Sequence, residues 1–215
     1  MSKVKIGSAR IDENGKISGG KTGDQNGKEV MTQDFYMHSK GWTILRPLSH
    51  AKEIAKNMQL ACENNNIGYS QQGRYGLMKA LEKVEGDFTK VAKCNTDCSA
   101  LVRECIRYAY NKYVPDFNTS GEKFTLTKNG FCKEIQFKSV DDLKVGDILV
   151  TKTKGHTAIV VSVTKDKNKK PIDEVVTAVI RGEYGKGKER FNKLKAEGYV
   201  PSEVQKKVNE VLKNE

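Results

Sequence analysis

The stretch Thr96-Asp97-Cys98-Ser99-Ala100-Leu101-Val102-Arg103-Glu104-Cys105-Ile106-Arg107-Tyr108-Ala109 constrains this chain more than any other. Its apolar positions fall at 98, 101, 102, 105, 106 and 109, the spacing of a helix that buries one face. Thr96 or Asp97 is placed to cap that helix, because a short side-chain oxygen accepts an otherwise unpaired first-turn amide. Cys98 then lies in the first turn, where free N–H groups and the positive end of the helix dipole favour a thiolate. Further on, Gly155-His156-Thr157-Ala158-Ile159-Val160-Val161 sets a histidine at the head of a β-branched run, the signature of a strand. A strand that holds a neutral imidazole against a helix-N-terminal thiol is the geometry of a Cys–His hydrolase. Each residue also has a plain reading. A cysteine on an apolar helix face serves as a small core residue, and a histidine beside a strand can be purely structural.

Composition places few limits on function. The 215 residues are 37% hydrophobic, enough for one mid-sized core and a small additional module. The net charge of +11 favours a polyanionic partner, through long-range steering that salt screens. The basic residues are scattered, without the aromatic-basic ladder of a single-strand binder, so nucleic acid is not the expected partner. Cys62, Cys94, Cys98, Cys105 and Cys132 form no close-set disulfide framework. Cys94 and Cys98 fit no common zinc spacing, so neither a metal nor another cofactor is expected. The opening Met1-Ser2-Lys3-Val4-Lys5-Ile6-Gly7 lacks the apolar core of a signal peptide. No run downstream approaches the ~20 apolar residues of a membrane span. The expectation is synthesis in the cytoplasm without a signal and without membrane insertion.

Residues 1–50 read as β-rich and turn-rich, with a hairpin-type Asn14-Gly15 between Ile11 and Ile17. The glycine-rich run Gly19 to Val30 lacks the order of a phosphate loop, and no apolar strand leads into it, which excludes nucleotide binding there. Its Asp24 and Gln25 are expected to satisfy the loop's own backbone, and no further role follows from residue type. Residues 49–66 carry a helical stripe of Ala51, Ile54, Ala55, Met58, Ala61 and Cys62, with Ser49 as the expected cap. His50, at its start, is expected to be exposed. His38, in an irregular aromatic segment, is a rival base. From 122 to 165 the pattern predicts strands: Phe124 and Leu126, then Ile135 and Phe137, alternate with polar residues, and 148–150 and 158–163 are short buried runs. Helices followed by a strand-rich half make an α+β fold.

The last 44 residues read as three short helices. Ile172, Val175, Val176, Val179 and Ile180 form one stripe. Phe191 and Leu194 mark a second helix, closed by Gly198. Ser202 and Gln205 form a capping box that opens a third, with Val204, Val208, Val211 and Leu212 inward.

Asp97-Cys98-Ser99, then Leu143-Lys144-Val145-Gly146-Asp147-Ile148-Leu149, then Gly155-His156-Thr157-Ala158 occur in the order found in the NlpC family of papain-like cell-wall peptidases, which the chain resembles over about residues 60–163. The resemblance implies a papain-like fold, Cys98 as nucleophile and His156 as its base. It implies that Asp97 and Ser99 help to hold the substrate peptide. Asp97 is equally well placed to be only the helix cap. Ile67-Gly68-Tyr69-Ser70-Gln71 resembles the segment that lines the cleft with a tyrosine, although Tyr69 also reads as a core residue. The group that orients the histidine comes, in that family, from the strand after it. Here Asp166 and Asn168 are the candidates, in a turn-like run, and the role stays open.

Gly23-Asp24-Gln25-Asn26-Gly27-Lys28-Glu29-Val30, with Phe35-Tyr36, Trp42 and Leu45-Arg46-Pro47, resembles the opening of a group of phage and prophage lysins. The segment Val179-Ile180-Arg181-Gly182-Glu183-Tyr184-Gly185-Lys186-Gly187-Lys188-Glu189-Arg190, with Gly198-Tyr199 and Val208-Asn209, is similar to the CW-seven type of wall-binding repeat. Family copies carry Trp-Gly-Asn-Gly where this chain has Tyr184-Gly185-Lys186-Gly187. That resemblance implies muropeptide binding through Arg181, Gly182, Tyr184 and Arg190. The combined expectation is a phage or prophage endolysin. Residues 1–170 would be a cysteine peptidoglycan hydrolase domain and residues 171–215 a three-helix wall-binding repeat. The partner would be bacterial peptidoglycan, reached after release through a holin-made lesion. The scissile bond, the lactyl amide to L-Ala or one within the stem peptide, does not follow from residue types. The alternative is a non-catalytic wall-binding protein whose peptidase-like domain only docks peptide.

Overall fold

The computed structural model describes residues 2–153, 155–164 and 170–213. The chain divides into two compact units, one of Lys3–Val163 and one that takes in Ser2 together with the described residues from Thr164 on. The first is a mixed α+β unit. In chain order it contains β1 (Lys3–Ala9), β2 (Val30–Asp34), β3 (Trp42–Pro47), α1 (Ala51–Glu63), β4 (Ile67–Tyr69), α2 (Gly76–Glu82), β5 (Cys94–Thr96), α3 (Cys98–Tyr110), α4 (Glu122–Lys128), β6 (Cys132–Ile135), β7 (Ile148–Thr151) and β8 (Thr157–Thr164). Six strands form one sheet in the order β2-β1-β8-β7-β3-β6, and β4 pairs with β5 in a separate parallel ribbon.

The central helix forms where the apolar period places it. The Asp97 side chain accepts from the Ala100 N–H, which satisfies a first-turn donor, and Asn111 ends the helix in the left-handed region with φ 47°. Leu101, Val102, Cys105 and Ile106 are fully buried against Ile54, Met58 and Ala61 of α1. Full burial of each such leucine or isoleucine contributes roughly 1.5–3 kcal/mol.

Strand alternation gives the sheet two apolar faces. Leu45, Ile148, Val150 and Ile159 share a core with the helices. Their neighbours Ile44, Leu149, Ala158 and Val160 join Trp42, Val4, Ile6 and Leu143 in a second core on the other face. Leu149 stands opposite both Ile44 and Ala158 in the antiparallel ladders, which fixes this register.

Two segments singled out from sequence lock onto each other here. Arg46 donates from Nε and Nη2 to the two carboxylate oxygens of the buried Asp147, at 2.8 and 2.7 Å. Gly146 is required at its position. Its φ is +87°, and a Cβ there would lie 2.3 Å from the Ala51 carbonyl oxygen.

Several expectations are corrected. Residues 122–128 form α4, not a strand: Leu126 is buried while Phe124 is 66% exposed, so their i, i+2 spacing reflects opposite sides of one turn. The N-cap position of α1 is His50 and not Ser49; it lies at φ 57°, its side chain makes no capping hydrogen bond, and the Ser49 hydroxyl is 2.7 Å from His50 Nδ1. Asn14-Gly15 forms a turn, with the Gly15 N–H bonded to the Asp12 carbonyl, but Ile11 and Ile17 beside it belong to no strand.

In the second unit, α5 (Ile172–Ile180), α6 (Gly187–Ala196) and α7 (Pro201–Lys213) share a core of Val175, Val176, Val179, Tyr184, Leu194, Tyr199, Val204 and Val208. Gly198, at φ 77°, closes α6, and the next N–H returns to the Leu194 carbonyl. α7 starts at Pro201, one residue before the expected cap Ser202. Ile180, Phe191, Val211 and Leu212 are 40–53% exposed and thus lie outside this core.

Candidate active site

Cys98 is the first residue of α3 and only 8% exposed. Its sulfur faces the backbone N–H groups of Thr157 and Ser99, which favour the thiolate. Burial outweighs them, and with the charges of Asp97 and Glu122 it pushes the thiol up to about 12. The thiol lowered by a helix terminus, expected from sequence, is therefore not the resting state. Desolvation dominates the dipole.

The flanking residues are bound within the protein. Asp97 Oδ1 accepts from the Ala100 N–H at 2.7 Å and the Ser99 hydroxyl at 2.9 Å, and Oδ2 receives Arg74 Nε at 2.7 Å. Arg74 also donates to Asp116 and, at 2.6 Å, to the Phe117 carbonyl. Arg103, buried on α3, ion-pairs with the same Asp116. Asp97 thus combines the cap with an ion pair, and Ser99 is buried in the same network. Sequence reading missed Arg74, which works through partners more than twenty residues away.

Tyr69 ends β4, buried, within electrostatic range of Cys98. Its phenol is pushed up to about 12, by burial first and then by Cys98. The loop before it explains the Asp24-Gln25 segment. Asp24 accepts from the N–H groups of Asn26, Gly27 and Glu29, and the Gln25 amide donates to the Gly23 carbonyl at 2.7 Å. The buried Glu29 then accepts from Gln25 N–H and Tyr69 N–H, at 2.8 and 2.9 Å, tying the loop to the strand that carries the tyrosine.

His156 immediately precedes β8, and its carbonyl accepts from the Thr151 N–H. Its ring lies 6.1 Å from Trp42 and 6.3 Å from His38, centroid to centroid, at the edge of the second core. Burial, then the positive potential of His38 and Arg10, lowers it to about 4, so the imidazole is neutral at pH 7. The structure brings the Thr157 amide to the Cys98 sulfur and the His156 ring to Trp42 and His38. Among the described residues no hydrogen bond joins imidazole and thiol. His50 lies apart from this group, its ring 4.6 Å from that of Tyr110. Asp166 and Asn168 lie outside the described residues.

Glu122 was not foreseen. It opens α4 fully buried and accepts from the Thr157 hydroxyl at 2.7 Å. Its pattern offered no signal, because 122–128 reads as strand. Among the described residues, no cluster of three or more His, Cys, Asp or Glu side chains could hold a metal.

In the second unit, Arg181 caps the end of α5 and is exposed, as is Gly182 with φ 84°. Tyr184 is buried and donates to Glu197 at 2.5 Å. Arg190 donates to the Gly185 carbonyl at 3.1 Å and to Gln205 at 3.2 Å. Two of these four residues therefore hold their own unit together.

No helix among the described residues is long and apolar enough to cross a membrane. No curated protein and no solved structure matches the chain. A family model of the CW_7 repeat matches residues 173–212, which suggests binding to a bacterial cell wall. The model of the endolysin-like domain matches residues 6–168, three quarters of the length and every residue of the site above. The chain belongs to the endolysin-like domain family.

Proposed function

We propose that the chain hydrolyses an amide bond of the peptidoglycan stem peptide, as an endopeptidase or an N-acetylmuramoyl-L-alanine amidase, with Cys98 as nucleophile and His156 as base. The observation that carries this reading is the Cys98 sulfur at the first residue of α3, facing the N–H groups of Ser99 and Thr157. The order of the three motifs supports an NlpC-type, papain-like site. The sulfur attacks the amide carbonyl as His156 takes its proton, and the N–H groups at the helix start receive the negative charge that develops on oxygen. One such donor contributes about 3 kcal/mol. The proton passes from His156 to the departing amine, and water then cleaves the thioester.

Thiol and imidazole are both neutral at pH 7, so the proton moves during attack rather than before it. The reading calls for the Gly155–His156 segment to shift on substrate binding, carrying the ring from Trp42 to the sulfur. Gly155, exposed and at φ 122°, supplies the freedom. The C-terminal repeat, read as a three-helix wall-binding module acting through the surface around Arg181 and Gly182, holds the enzyme on its substrate. The phage or prophage origin and holin-dependent release belong to the same reading.

The absence of a thiol–imidazole bond among the described residues favours a second reading, a wall-binding protein whose first unit docks peptide without cleaving it. Mass spectrometry of soluble products from purified sacculi separates the two. A new amine and a new carboxyl terminus at one peptide bond identify the hydrolase and its bond. Sacculi that release no soluble product identify the binder.

A further inference from the structure

Glu122 has no place in the mechanism above, yet it occupies the buried space beside the nucleophile. Its Oε1 accepts the Thr157 hydroxyl proton at 2.7 Å, and its Oε2 is buried with no hydrogen-bond partner. An ionised carboxylate so placed is costly without a cation. The ionisable groups around it are Asp97 before α3, Cys98 on α3 and Cys132 on β6, all acidic. Arg46, on the neighbouring β3, is committed to Asp147. Thr157, the β8 residue that Glu122 holds, is the one whose N–H faces the Cys98 sulfur.

We propose that Glu122 is a positioning residue of the cysteine site: neutral, it holds Thr157 so that the Thr157 N–H stays on the Cys98 sulfur, and its ionisation suppresses the thiol. This rests on the reading of Cys98 as the nucleophile. The carboxyl proton resides on Oε2, since Oε1 is the acceptor for Thr157. Burial pushes this group up to about 8, so it is neutral under ordinary conditions. Above that pH the carboxylate is charged, and forming the thiolate then puts a second negative charge in one dry site, so Cys98 and Glu122 oppose each other's ionisation.

The test is the rate of Cys98 alkylation by iodoacetamide between pH 6 and 10, in the full chain, read by peptide mass spectrometry. The wild-type profile should break near pH 8. Glu122→Gln keeps the shape without the charge; its rate should match wild type below pH 7 and exceed it about tenfold above pH 9, one unit of thiol ionisation. Thr157→Val removes the donor that lowers the carboxyl, and should move the break to higher pH. A purely structural Glu122 would leave all three profiles superimposable, which overturns the proposal. So would the absence of labelling at Cys98 up to pH 10. Alkylation reads the thiol and not hydrolysis, so failure of the hydrolase reading shows separately, as sacculi left uncleaved by the wild type.

Discussion

The guanidinium of Arg74 donates to Asp97 Oδ2 at 2.7 Å while Oδ1 of the same carboxylate caps the helix that begins with Cys98. Both oxygens carry partners, two donors on Oδ1 and one on Oδ2, which leaves a single lone pair on Oδ2 for a substrate ammonium. Asp97→Asn keeps the cap but weakens the pair with Arg74. It should lower stability by about 1–3 kcal/mol. Turnover of free-amine and N-acetylated stem peptides should fall in the same proportion. A loss confined to the free-amine substrate would show that Asp97 contacts the amine after all.

His156 gives the unit an acid sensitivity. Its folded-state value of about 4 lies below the ordinary 6.5, so the unfolded chain takes up the proton first. The stability it contributes is fully present above pH 6.5 and is lost as pH falls toward 4. The difference is worth about 3 kcal/mol at most. His156→Phe, which keeps a ring against Trp42, should shift the acid-unfolding midpoint to lower pH. An unchanged midpoint in a circular dichroism titration would contradict the burial of a neutral imidazole.

What could be read from the sequence was what depends on local periodicity. The stripe from Cys98 to Ala109 and the cap at Asp97 predicted α3 because both signals lie within one helix. Phe124 and Leu126 misled because seven residues are too short for a 3.6 period to separate from alternation, and the exposed phenylalanine counted as core. Arg74 and Glu122 were illegible for another reason. Each acts through a residue brought near by the fold, Asp97 and Thr157, and residue type alone does not name a partner 23 or 35 positions away. Arg46 and Asp147 stand in separate motifs of the sequence, and their bidentate bond joins positions 101 apart that only the β3–β7 pairing brings together.

The charge is unevenly divided between residues 1–171 and residues 172–215. Residues 172–215 carry nine Lys or Arg against eight Asp or Glu, leaving +10 of the +11 to residues 1–171. Attraction to a polyanionic wall should therefore come from the first unit and weaken with salt, while the repeat retains the protein through packing and hydrogen bonds. A chain ending at Lys170 should keep its rate on soluble muropeptides and lose much of it on intact walls, most at high ionic strength, because the second unit raises the local concentration. Wall lysis by both proteins across a salt series reads this directly. Superimposable curves would mean that the repeat does not target the enzyme.

The reading as a whole turns on Cys98. The measurement that addresses it is the lysis rate of purified walls by wild type and by Cys98→Ser, both confirmed to melt at the same temperature. The account predicts a loss of about three orders of magnitude or more, the scale on which a missing nucleophile disables such sites, while Cys62, Cys94, Cys105 and Cys132 are individually dispensable for the chemistry. Lysis by Cys98→Ser at the wild-type rate would contradict it.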